Sequence, residues 1–386
     1  MAAASATIAI AIDAMLPAFA DVREFFELPA TSSDVALIIS VFMAGIGVGQ
    51  FVYGPLADRF GRKPVFMAGL LLYVVAGFAT TFATSLDSLL LGRFFWGLGA
   101  AGPRVVSQAM LRDRFKGDEL ARAMAIILTV FLVVPTLAPI IGQALLELGQ
   151  WRYTFAVGPV FATIVALWST RATESLEVDK RRAIDVRSIG RAVTEVLRTP
   201  SAIGNTLAIM MMTAAFLPYL ASSERMYGEV YGRDSEFFLW FAATSIVMAG
   251  FTMSAAKSVK RFGTKRTTIG LLVLLVAATS INLLVTDFAG GVPSFAFFFV
   301  STTIVVSLNT ALSPLLASRA LNDVGHIAGT AASTIGGLSF LGASFLAPFV
   351  DSAIEHTITP FAVGCFAFSV AALAFAFLAD RLKAAL

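Results

Sequence analysis

The sequence predicts an all-α integral membrane protein: 12 transmembrane helices in two pseudo-symmetric six-helix bundles. Three observations carry that expectation. Of the 386 residues, 58% are hydrophobic and only 14% charged, against about 25% charged in an ordinary soluble protein, and the mean hydropathy is +0.83. Apolar runs of the roughly 20 residues needed to span a hydrocarbon core recur along the whole chain. A charged, glycine-punctuated stretch, GPLADRFGRKPVF at 54–66, returns in degraded form as KSVKRFGTKRT at 257–267.

The elements follow in order. Met1 leads straight into AAASATIAIAIDAMLPAF with no basic n-region, so this run reads as a first membrane helix, 2–22, and not as a secretory signal. The next five spans are expected over 33–56, 64–83, 87–110, 122–146 and 152–170. The second six are expected over 201–221, 236–256, 267–286, 293–314, 327–350 and 358–379. Backbone polar groups in lipid must be satisfied internally, so helices are the expected spanning form. Pro17, Pro135, Pro139, Gly336 and Gly337 mark bends or close approaches within them. The hydrophilic segment 171–200 divides the spans six and six, giving a bundle over 1–170, a linker over 171–200 and a bundle over 201–386. Its IDVRSIGRAVTEVL fits two descriptions, an amphipathic helix on the inner membrane surface or a solvated linker.

Orientation follows from the bias of Lys and Arg toward cytoplasmic loops. One set of alternate loops holds Arg59, Arg62 and Lys63, then Arg112, Arg114, Lys116 and Arg122. The linker adds Arg171, Lys180, Arg181, Arg182, Arg187, Arg191 and Arg198. Lys257, Lys260, Arg261, Lys265, Arg266, Arg319, Arg381 and Lys383 complete that side, against only Arg23, Arg152, Arg225 and Arg233 on the other. Both termini are therefore expected in the cytoplasm. A net charge of +3, sorted by loop, gives no reason to expect a nucleic-acid partner. The one cysteine, Cys365, excludes an internal disulfide, and neither His326 nor His356 has the partners of a metal site.

Aligning ADRFGRKPV with VKRFGTKRT places Arg59 over Arg261, Phe60 over Phe262, Gly61 over Gly263 and Lys63 over Lys265. Each copy lies between the second and third span of its half. The chain thus reads as a duplicated six-helix unit, the parallel-repeat arrangement of a transporter.

GPLADRFGRKP resembles the loop signature of the major facilitator superfamily. Further stretches resemble its proton-coupled drug antiporters, in particular the Bcr/CflA drug-resistance group. They are IDAMLPAF in helix one, GRFFWGLGAAG in helix four, RDRFKGDELARAM after it, PTLAPIIGQ in helix five, QWRYTF opening helix six and GHIAGTAAS opening helix eleven. The resemblance implies the major facilitator fold and several site residues. Gly54 and Gly61 allow close turns. Asp58 is an anion suited to a helix N-terminus, which by resemblance is that of helix eleven, with Arg62 bridging Asp58 to Asp113. With Arg59, this set forms a cytoplasmic gate; the plainer reading of its basic residues is that they fix topology. The second copy has Lys260 where the first has Asp58, so the latch is expected in one half only. Pro135, Pro139 and Gly142 match the antiporter motif of helix five, with Gln143 where a second glycine is common.

Asp13 is the expected proton-coupling residue. A charged side chain in the middle of an apolar helix costs at least ~2.5–3.5 kcal/mol, and desolvation favours the neutral acid, so such a group can load and release a proton. The alternative is a structural hydrogen bond to a neighbouring helix. Arg93 matches the buried arginine of the family's helix four, which tunes a carboxylate or lines the cavity. The Bcr/CflA group usually carries arginine where this chain has Gln108. Arg104 lies one turn earlier on nearly the same face and either replaces that charge or pairs structurally. Arg93, Arg104, Gln108 and Asn309 are the candidate cavity and substrate-binding residues; Asn309 belongs to a helix ten rich in Ser and Thr. GLGAAG at 97–102 fits a dinucleotide-binding pattern but lacks the strand that pattern needs, and small residues there suit close helix packing. Glu224 and Arg225 read as an interfacial pair or as polarity at an outer cavity mouth.

These residues point to a non-enzymatic, proton-coupled transporter of a bacterial inner membrane. It would be a monomer exporting small amphiphilic molecules by alternating access, with the proton as coupling ion and no cofactor. The alternative is a symporter or uniporter of the same fold for a small metabolite or sugar.

Overall fold

The computed structural model describes residues 1–29, 32–181 and 186–385, and all regular structure among them is helical. The first span is two short helices, α1 (Ala2–Asp13) and α2 (Phe19–Phe25), joined by a 3-10 turn over Leu16–Ala18. Five long helices follow: α3 (Leu37–Phe60), α4 (Arg62–Thr81), α5 (Leu86–Arg114), α6 (Gly117–Leu146) and α7 (Arg152–Ser169). The linker contains α8 (Val186–Arg198). Then come α9 (Pro200–Arg225), α10 (Phe237–Phe262), α11 (Thr264–Phe288), α12 (Phe295–Leu321), α13 (Ala328–Asp351) and α14 (Thr359–Ala385). Arg182, Ile184 and Asp185 lie outside the described residues. Among the described residues, nine helical segments are long and apolar enough to cross a membrane.

Contacts divide the chain into two units: Met1–Ala30 with Leu37–Ser188, and Thr31–Ala36 with Ile189–Leu386. The linker is shared between them, its first part packing with the first unit and most of α8 with the second. In the first unit α5 packs on both α3 and α4, α4 packs on α7, and α1 packs on α6. Two glycines of GLGAAG make the α5 contacts possible. A Cβ at Gly97 would lie 2.0 Å from the Phe42 carbonyl oxygen, and one at Gly99 2.4 Å from the Tyr73 nitrogen. This run is a packing surface. In the second unit α9 is central, packed against α12, α13 and α14.

The repeat seen in the sequence has a matching backbone. Gly61 between α3 and α4 has φ 99° and ψ 156°, and Gly263 between α10 and α11 has φ 79° and ψ 160°. Each long helix turns sharply into the next through one residue whose φ only glycine adopts readily. In both copies the preceding arginine lies over the following phenylalanine, Arg59 on Phe60 at 5.2 Å and Arg261 on Phe262 at 5.1 Å.

Candidate functional site: a buried acid at a broken helix

Asp13 ends α1, and the sequence explains why. Proline at position 17 has no N–H to donate to the Asp13 carbonyl, and in a continued helix its ring would clash with that carbonyl. The chain tightens at Leu16–Ala18 and restarts at Phe19. The continuous helix expected over 2–22 is therefore corrected to two helices with a joint directly after the acid. The Asp13 side chain is 4% exposed. Among the described residues, no hydrogen bond or ion pair reaches it.

Two residues hold the backbone on either side of Asp13. Arg93, on α5, is fully buried. Its Nη1 donates to the Ala11 carbonyl at 3.0 Å and its Nε to the Ile38 carbonyl at 3.1 Å, which ties α5 to α1 and α3. The guanidinium lies 4.2 Å from the Phe42 ring and 4.7 Å from the Trp96 ring. Two hydrogen bonds and two aromatic faces offset part of the cost of burying this charge, and Nη2 is buried with no hydrogen-bond partner among the described residues.

The second residue is Gly142 on α6. A Cβ there would lie 2.0 Å from the Ala14 carbonyl oxygen, so α6 rests on the backbone just past Asp13. α6 runs unbroken through Pro135 and Pro139. Pro139 is buried and Pro135 half-buried. The next residue, Gln143, lines a cleft of about 530 Å³ with Asp21, Glu147 and Arg152.

The other candidates fall elsewhere. Arg104 is half-buried on α5 and Gln108 exposed one turn later. Asn309, in the second unit, donates from Nδ2 to the Met212 carbonyl at 2.8 Å and ties α12 to α9. No group of three or more potential metal ligands occurs among the described residues.

The charged loop between α3 and α4 forms a connected cluster. Arg62 pairs with Asp58 at 2.5 Å and with Asp113 at 3.3 Å, the bridge that the resemblance implies; Gly54 lies one turn before Asp58 and Arg59 is exposed beside it. The cluster also holds an acid that the sequence does not flag. Glu174, just past α7, accepts the backbone N–H groups of Arg62 at 3.0 Å and Lys63 at 3.1 Å. It thereby caps α4, whose N-cap Gly61 has no side chain to do so. It accepts those of Ser175 and Leu176 as well. Burial alone pushes its carboxyl up, but these four donors outweigh burial and hold it below the usual carboxylate range. Lys63 donates to the Thr170 carbonyl at 2.7 Å, and Ser175 to Asp113 at 3.1 Å. The root of the linker is thus bound to the loop. In the second copy the acid is Asp380, which holds Arg319 at 2.5 Å and Lys265 at 3.2 Å.

The family model for the Major Facilitator Superfamily matches residues 1–347. The chain belongs to this superfamily. Its fold accounts for 12 membrane crossings in two six-helix halves, and the family is one of multi-pass membrane transporters. A bicyclomycin resistance protein homolog of Haemophilus influenzae is 27% identical over 378 residues, covering 96% of this chain and 92% of that protein. The multidrug resistance protein MdtL of Shigella flexneri is 25% identical, covering 82% and 79%. Among solved structures, a D-xylose–proton symporter matches with a TM-score of 0.74 at 14% identity, covering 97% and 95%. The human organic anion transporter MFSD10 matches with a TM-score of 0.71 at 16% identity, covering 98% and 97%. At these identities the structural likeness speaks for the fold alone.

Proposed function

We propose that this chain is a proton-coupled exporter of small amphiphilic molecules that works by alternating access, with Asp13 as the coupling acid. The observation that carries this is Asp13 itself: buried, unpartnered among the described residues, at a break in the first helix, beside the antiporter-motif glycine on α6. Discontinuous helices with polar groups at the break are a recurrent way of building coupling sites in transporters. The named drug-resistance relatives support export over import.

In this reading Arg93 positions the α1 backbone around the acid, because it has no surface left for substrate. Arg104, Gln108 and Asn309 remain the proposed cavity residues. Asp58, Arg59, Arg62 and Asp113, with Gly54 and Gly61, serve as the cytoplasmic gate, and the Lys and Arg bias puts both termini in the cytoplasm of a bacterial inner membrane. The protein is proposed to act as a monomer, with no cofactor.

Efflux from inverted vesicles, with and without a pH gradient, tests the proposal. A gradient-dependent flux that Asp13→Asn abolishes, with membrane insertion intact, is the expected result. Flux indifferent to the gradient favours a uniporter, and gradient-driven flux in the opposite direction favours a symporter. Undiminished coupling in Asp13→Asn removes this acid from the mechanism.

A further inference from the structure

The second unit contains a buried acid that the reading above does not use. Asp351, the last residue of α13, is 1% exposed. Its Oδ1 accepts from the Ser222 hydroxyl on α9 at 2.6 Å. Its Oδ2 is buried with no hydrogen-bond partner among the described residues. The guanidinium of Arg225 donates to its backbone carbonyl at 2.9 Å. Besides α9, helices α12 and α14 pack on α13. They carry no charged residue before Arg319 and Asp380, so the charged groups of the packed helices at this end are Arg225 and Glu224, both buried. Glu355 and His356, in the turn beyond, are exposed.

An ionised carboxylate offers about four acceptor sites, and here one hydroxyl donor serves them while an entire oxygen is left bare. Such an oxygen is costly as a charge and far less so as part of a neutral acid. The nearby guanidinium and the Ser222 hydroxyl favour the opposite state. Opposed influences of this kind make a group that exchanges a proton instead of holding one form throughout.

We propose that Asp351 is a second proton-binding site, in the C-terminal unit, so that the transport cycle titrates two acids, one in each unit. The link to transport rests on the proton-coupled reading; the protonation of Asp351 does not.

Infrared difference spectra of the full-length protein in lipid, recorded between alkaline and acidic pH, test it directly. The native protein is expected to show two carboxylic-acid C=O components from buried acids, of which Asp13→Asn removes one and Asp351→Asn the other. Ser222→Ala is expected to shift the frequency of the Asp351 component, because the group loses its hydrogen-bond donor; a carboxylate of purely structural role shows no such band to shift. Spectra of Asp351→Asn that match the native protein overturn the proposal. If that variant does not fold, unchanged spectra in Ser222→Ala overturn it equally. Failure of proton coupling looks different: flux ignores the pH gradient and the Asp13 component is missing, while the Asp351 component persists.

Discussion

Replacing Gly142 by alanine probes the contact on which the site depends. The added Cβ would lie 2.0 Å from the Ala14 carbonyl oxygen, 2.8 Å from its carbon and 3.2 Å from its Cα, where real contacts stay above 3.0 Å. About 1 Å of separation must therefore open between α6 and α1, and every atom in the way belongs to backbone, which no rotamer change can move. Overpacking of this kind costs about 1–3 kcal/mol, and backbone collision puts it at the upper end. The helix-propensity gain of alanine over glycine, about 1 kcal/mol, works against it. A net loss of about 2 kcal/mol remains, or roughly 4–8 °C in Tm for a unit of this size. Gly250→Ala is the control, because a Cβ there meets nothing within 4 Å; it should keep or slightly raise Tm. Thermal unfolding in detergent reads the stability, and proton-driven efflux reads the site, since the displaced backbone is that of the residue after Asp13. Gly142→Ala with native Tm and native flux would falsify the claim that α6 positions the acid.

Two further outcomes follow from the same geometry. Arg93→Lys keeps the charge but cannot serve the Ala11 and Ile38 carbonyls together or stack between Phe42 and Trp96, so thermal unfolding should show a loss of at least about 2 kcal/mol. Glu174→Gln removes a carboxylate whose folded form is held below the ordinary value of 4.5. The stabilisation it supplies is present in full above that value and disappears as pH falls through the lower, folded one. The variant should therefore lose about 0.5–2 kcal/mol at neutral pH, toward the lower end because the group is partly solvated, and match the native protein in strong acid. Unfolding midpoints compared across that window decide it; an equal difference at every pH would assign Glu174 a role other than that of a charged cap.

Much of the candidate site was legible in the chain because its cues are local. An aspartate inside an apolar run announces itself by its transfer cost, and a proline four residues later signals a disturbed helix, a bend by sequence alone and a joint between two helices in the fold. Arg62 and Asp113 were paired through resemblance, 51 positions apart. Nothing local points from Glu174 to the N-terminus of α4, and nothing links Ser222 to Asp351 across 129 positions. Helices that close these distances are positioned by packing, and packing is a property of whole surfaces.

What the amino-acid order determined by itself is the membrane-spanning, twofold-repeated, all-helical character of the protein. Hydropathy, chain charge and the glycine turn at 61 and 263 are each expressed within a few residues. Only the tertiary structure decided which backbones touch: Gly142 against Ala14, Arg93 across to Ala11 and Ile38, Glu174 onto Arg62. In lipid the hydrophobic effect does little to choose between helix pairings. The choice falls to close contacts and buried hydrogen bonds, which exist only once the helices have met.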